Sequence, residues 1–275
     1  MQRAYRFWTV AAAVLAVAAC GGRQETGTAT KAAAPEEKAL NVLNWSDYIG
    51  DTTVADFESA TGIDVTYDVF DSNEVLETKL LAGRSGYDIV VPTAPFLERQ
   101  IKAGVFLPLD KSKLPNLKNM DPEIMERVAA HDPGNGHSLP YLWGTIGLGY
   151  NPDMLKRALG TDTIDSWAIL LEPANAAKLA KCGIAMLDAP TDVFGSVSIF
   201  KGLDPNSEKS GDLAVVEETL MKVRPHVRYF HSSSYINDLA AGEICLALGW
   251  SGDVLQARDR GAAAAKPVAV KYAIP

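Results

Sequence analysis

The sequence predicts an α/β protein built as two lobes, and three observations carry that prediction. Short apolar runs suited to buried strands alternate with stretches of about ten residues whose apolar positions recur at helical spacing. The pattern occurs twice, on either side of an extended, Gly-containing segment at 139–151 that reads as a crossing between lobes. Hydrophobic residues make up 47% and charged residues 22% of the 275, a globular composition that rules out collagen-like, coiled-coil and wholly disordered chains. Strands alternating with helices imply sheets that are mostly parallel.

In chain order, residues 39–45 (ALNVLNW) form the first strand-length apolar run. Residues 53–60 place Val54 and Phe57 on one helical face and stop at Gly62. Residues 63–69 alternate apolar and polar as a strand does, and 73–81 return to helical spacing through Val75, Leu76 and Leu80. A third strand is predicted at 87–92 (YDIVVP). Gly147-Leu148-Gly149 lacks the third glycine of a dinucleotide fingerprint and reads as a hinge. The second unit comprises a strand at 184–187, helices at 193–201 and 213–223, a short helix at 235–241 and a strand at 244–250 (ICLALGW). The strand-like run 268–274 then ends the chain without a closing helix, and a further C-terminal part is expected.

Ligands of open α/β sheets sit beyond the carboxyl ends of the strands. Here those ends carry Trp45-Ser46-Asp47-Tyr48, Thr93 to Phe96, and Trp250-Ser251-Gly252-Asp253, an unusual recurrence of aromatics beside acids. Aromatic faces attract cations and carboxylates fix them, so the pattern points to a cationic ligand. The net charge of −8 argues against a nucleic-acid partner. No P-loop, HExxH or GxSxG motif occurs, and the four His stand in no metal-ligand spacing. An acid/base pair drawn from Asp47, Asp192 and Asp253 is the remaining enzymatic option, but nothing sets their roles apart. The expectation is a binding protein that is not an enzyme and needs no cofactor or metal.

The N-terminus predicts export. Arg3 and Arg6 precede the 13-residue apolar run 7–19, which ends at Cys20. That run is shorter than the ~20 residues a permanent membrane helix needs. Val17-Ala18-Ala19-Cys20 resembles a bacterial lipobox, making 1–20 a lipoprotein signal peptide with lipidation at Cys20; a plain secretory signal is the alternative. Residues 21–39 are small and polar and read as a flexible tether. Outside the cytoplasm, Cys182 and Cys245 are free to form a disulfide, two buried thiols being the alternative.

Seven segments then combine into a family pattern: 44–49 (NWSDYI), 67–74 (YDVFDSNE), 87–92, 107–115 (LPLDKSKLP), 140–144 (PYLWG), 231–239 (HSSSYINDL) and 249–253 (GWSGD). Together they resemble the polyamine-binding proteins of bacterial ABC importers, and their putrescine branch more than their spermidine branch. The resemblance implies a type II periplasmic-binding-protein fold, two α/β lobes joined by a hinge with the ligand clamped between them. It implies an incomplete first lobe from 40–142 and 264–275, and a second lobe from 143–263. It also implies that Trp45 and Tyr48 wall the pocket, that Ser46 and Asp47 meet one end of a diamine, and that Thr93 supplies a hydroxyl. In the second lobe, Asp192 stands in place of a longer Glu, Trp250 is the facing aromatic, and Asp253 holds an ammonium. Cys182 and Cys245 match a disulfide pair. The partners implied are putrescine or a related polyamine and an ABC permease, with the membrane met only through the lipid anchor of a periplasmic monomer. A sensory protein that binds another cationic amine is the alternative.

Overall fold

The structure is a computed structural model that describes residues 37–275. The signal peptide, Cys20 and nearly all of the tether lie outside these residues. The strands are β1 (Ala39–Trp45), β2 (Asp64–Phe70), β3 (Ile89–Val90), β4 (Ile146–Tyr150), β5 (Ile184–Met186), β6 (Tyr229–Phe230), β7 (Leu246–Trp250) and β8 (Lys271–Ala273). The helices are α1 (Thr53–Thr61), α2 (Asn73–Leu81), α3 (Ala94–Lys102), α4 (Pro122–Ala129), α5 (Pro152–Leu159), α6 (Ala168–Leu171), α7 (Pro173–Leu179), α8 (Pro190–Phe200), α9 (Ser210–Val223), α10 (Tyr235–Ala241) and α11 (Ser251–Ala263).

The strands form two sheets, one ordered β2-β1-β3 and the other β6-β5-β7-β4-β8. β1 pairs in parallel with β2 and β3, and β5 pairs in parallel with β6 and β7. β4 runs antiparallel to both β7 and β8. The predicted α/β class and largely parallel sheets are therefore present, each sheet with its own core. Leu43, Trp45, Phe70, Leu76 and Leu80 form the first. The second is larger and centres on β5 and β7, where Ile184, Met186, Leu246 and Leu248 are fully buried. Trp250 packs against both cores, so the end of β7 is where the two lobes meet.

Two predictions are corrected. The strand expected over 87–92 is reduced to Ile89–Val90. The Asp88 side chain accepts the Asn41 N–H at 2.8 Å where the ladder would otherwise extend, and Pro92 has no N–H to offer. Residues 264–275 were expected in the first lobe, yet β8 pairs with β4 of the second sheet in the register Leu148↔Ala273, Gly149↔Tyr272, Tyr150↔Lys271. Gly147 and Gly149, expected at a hinge, lie inside strand β4, which pairs on both sides. A Cβ on Gly147 would sit 2.4 Å from the Ala273 carbonyl and 2.6 Å from the Tyr272 hydroxyl, so glycine permits the β8 pairing.

Cys182 and Cys245 are joined by a disulfide across 63 residues. It ties the turn before β5 to the residue before β7, the central strand that delivers Trp250. Closing a loop of that length stabilises the fold by about 4 kcal/mol in the chain-entropy model. The Cys182→Ser/Cys245→Ser double variant is expected to lose stability of that order in urea unfolding, with an unchanged far-UV circular dichroism spectrum below the transition.

Candidate functional site

A narrow cleft lies where β1 and β7 end, lined by Trp45, Ser46, Asp47 and Tyr48 from the first lobe and Ser232, Ser233, Trp250 and Asp253 from the second. The end of β1 supplies one wall because its last residue, Trp45, is held from two directions. Its Nε1 donates to the Val91 carbonyl at 2.9 Å, and its ring lies 4.6 Å from Phe70. Tyr48 stands 6.1 Å from it, and Trp250 of the other lobe meets it edge-on at 5.4 Å and 74°. Three aromatic rings thus converge from two lobes, an apolar surface that also attracts positive charge.

Asp253 is set by α11, in whose first turn it lies, and by Tyr235. The Tyr235 hydroxyl donates to Asp253 Oδ2 at 2.7 Å and receives the Trp250 N–H at 3.1 Å. Gly249 makes this possible, because a Cβ there would lie 2.5 Å from the Tyr235 ring. Gly249→Ala is expected to displace that ring, costing roughly 1–3 kcal/mol of stability in chemical unfolding and weakening ligand binding with it. Asp253 is only 2% exposed, and its Oδ1 has no hydrogen-bond partner. Burial raises its pKa from 3.8 to about 6, against the Tyr235 hydrogen bond, which lowers it. Burial and the neighbouring Asp253 charge push the Tyr48 hydroxyl well above its ordinary value, so Tyr48 remains a neutral donor.

Asp192 lies in the first turn of α8 and accepts the Trp250 Nε1–H at 2.8 Å. It therefore fixes the indole from behind, and burial raises its pKa as well. Asp47 is placed differently. Arg260 of α11 donates to its Oδ1 at 2.8 Å, and Gln256 donates to its backbone carbonyl at 3.0 Å. Ser46 and Ser233 hydroxyls meet across the lobes at 2.9 Å. Thr93 stands apart: it is exposed at the start of α3, its N–H bonded to Asn73 Oδ1 at 3.1 Å, and it does not line the cleft.

The structure thus brings together six of the eight residues expected to bind ligand, adds Asp192 behind Trp250, and leaves Thr93 outside. Sequence reasoning missed Ser232, Ser233, Gln256 and Arg260. For the last two the signal was present: Asp253, Gln256 and Arg260 follow one another at helical spacing, so one face of α11 carries all three. The electrostatic result is specific. Asp47 is neutralised by Arg260, whereas among the described residues Asp253 and Asp192 have no basic side chain within 4.0 Å. Asp253 is thus the carboxylate within the cleft that is left to meet positive charge from elsewhere, with Asp192 adding its charge from behind Trp250. Among the described residues no group of three or more His, Cys, Asp or Glu is placed to hold a metal ion. Among them also, no helix is long and apolar enough to cross a membrane.

Known proteins are similar to this chain in sequence and fold. Residues 52–275 match the family model of the bacterial extracellular solute-binding proteins. The putrescine-binding periplasmic protein PotF of Escherichia coli is 56% identical over 244 residues, covering 88% of this chain and 66% of that protein. Among solved structures, the spermidine/putrescine ABC transporter substrate-binding protein PotD of Streptococcus pneumoniae is similar at a TM-score of 0.64 and 28% identity, over 86% of this chain and 68% of that one. The Tp0655 (TpPotD) lipoprotein of Treponema pallidum is similar at 0.71 and 25% identity, over 86% and 70%. The chain spans about two thirds of the length of the relatives it matches. Fold, cleft and sequence agree that this chain belongs to the bacterial extracellular solute-binding protein family.

Proposed function

We propose that this chain is a solute-binding receptor that captures putrescine or a closely related polyamine outside the cytoplasmic membrane and hands it to an ABC transporter. The observation that carries this reading is the Asp253 carboxylate, buried with one oxygen unpartnered beside converging aromatic rings. An ammonium supplies what that oxygen lacks, and its methylene chain is covered by the indoles. Asp192, behind Trp250, adds a further negative charge near the cleft without lining it, so the surroundings favour a cationic ligand. PotF and PotD carry putrescine and spermidine/putrescine in their names and support the ligand class, and PotD's name supports the transporter. The apolar run before Cys20 and the likeness to the Treponema lipoprotein support a lipid anchor at that cysteine, with the monomer held at the membrane surface.

Isothermal titration calorimetry with putrescine, cadaverine, agmatine and spermidine tests the reading. Putrescine is expected to bind most tightly, with a dissociation constant in the micromolar range or below, about −8 kcal/mol or stronger. Failure of all four to bind below roughly millimolar would overturn it.

A further inference from the structure

His231 directly follows β6 and touches both lobes through opposite sides of one ring. Its Nδ1 accepts the backbone N–H groups of Ser233 at 3.0 Å and Ser234 at 3.1 Å. Its Nε2 lies 3.7 Å from Asp71 Oδ2, just beyond β2 in the first lobe. A peptide N–H can only donate, so two of them on Nδ1 require a bare lone pair there, and the ring's single proton must sit on Nε2. That tautomer turns the N–H dipole toward the Asp71 carboxylate. One of the two residues held by Nδ1, Ser233, is part of the cleft. Ser232 and Ser233 line it, the Ser232 hydroxyl is buried without a partner, and the Ser233 hydroxyl makes the contact to Ser46 across the lobes. The His231 N–H itself is tied to the Met186 carbonyl at 2.9 Å, so the ring is anchored to the sheet and its reach is fixed.

We propose that His231 is a positioning residue for the polyamine cleft: its imidazole, fixed as the Nε2–H tautomer, holds the Ser233–Ser234 turn, and with it the Ser233 hydroxyl at the cleft, in place against the first lobe. The proposal rests on the polyamine reading for its binding test, and its second test is independent of any ligand. Asn at this position presents an amide oxygen near the place of Nδ1, whereas Gln presents its amide near the place of Nε2 and Ala presents neither. In calorimetry of the whole chain with putrescine, His231→Asn is expected to bind within about threefold of the unmodified chain, since Asn is a strong acceptor for such N–H groups. His231→Gln and His231→Ala are each expected to bind about tenfold more weakly, with two N–H groups left without an acceptor. His231→Asn proving as weak as His231→Ala, with both folded by circular dichroism, overturns the proposal, as does an unchanged affinity in His231→Ala. The second test is a long-range ¹H–¹⁵N correlation spectrum of the unmodified, ligand-free chain at neutral pH. A bare Nδ1 and a protonated Nε2 are expected for His231; a protonated Nδ1 overturns the proposal even where a variant fails to fold. Should the unmodified chain bind no diamine, the polyamine reading fails while this spectrum still decides the role of the ring.

Discussion

Asp253→Asn is expected to weaken putrescine binding by about a hundredfold or more while making the ligand-free chain more stable. The first effect follows from removing one partner of a buried, hydrogen-bonded charge pair, which costs about 2–5 kcal/mol of binding. The second follows from the same burial. The folded-state pKa of Asp253 is raised from 3.8 to about 6, so the folded chain holds that proton more tightly than the unfolded chain does. Below about pH 4 both states are protonated and no penalty exists. As pH rises through the interval up to about 6, the folded state must ionise a carboxylate that is 2% exposed, and stability falls by about 3 kcal/mol. Asn carries no charge and escapes that penalty. Thermal unfolding at neutral pH is therefore expected to show the variant melting above its parent, with calorimetry showing lost binding. A variant that loses both binding and stability would point to a structural carboxylate instead of one poised for a ligand.

The same group sets the pH dependence of binding with the opposite sign. Ligand needs the ionised form, so affinity is full above the folded pKa and declines as pH drops through about 6. Between about pH 7 and pH 5 an approximately tenfold loss of affinity is expected, from the fraction of Asp253 still ionised. Asp253→Asn is expected to flatten that slope.

Trp250→Ala is expected to lower affinity roughly a hundredfold, and Trp250→Phe about tenfold. The indole has two separable tasks. Its ring meets Trp45 edge-on at 5.4 Å and closes the apolar cover, while its Nε1–H satisfies Asp192 at 2.8 Å. Phe retains a face for the ligand's methylenes and for cation attraction but leaves a partly buried carboxylate without its donor. Ala removes both. Calorimetry of the two variants checks the order; equal losses would mean the ring face contributes nothing beyond the hydrogen bond.

Much of this site was legible in the sequence because strand ends and aromatic–acid clusters are local signals. The run ending at Trp45 and the run ending at Trp250 each announce a strand and its terminus within seven residues, and both fall where the cleft forms. Helices α2 and α10 match their expected bounds for the same reason. What escaped is what depends on partners distant in the chain. The strand at 87–92 was shortened by a side-chain contact from Asp88 to Asn41, and the pairing of β4 escaped because its neighbours, Tyr272 and Ala273, come more than 120 residues later. Nothing near Asp47 in sequence reveals its pairing with Arg260, more than 200 residues later. Thr93 was placed by analogy of position, and local sequence does not say that it faces solvent.

The central claim is a match of charge: Asp253 within the cleft and Asp192 behind Trp250, neither paired with a basic side chain within 4.0 Å among the described residues, favour a ligand with two positive ends. Calorimetric comparison of putrescine with butylamine, which shares its four-carbon chain and lacks the second ammonium, tests that claim most directly. Butylamine is expected to bind at least about a hundredfold more weakly than putrescine at neutral pH. Affinities within about threefold of each other would contradict it, since a difference under 1 kcal/mol leaves no role for the second carboxylate.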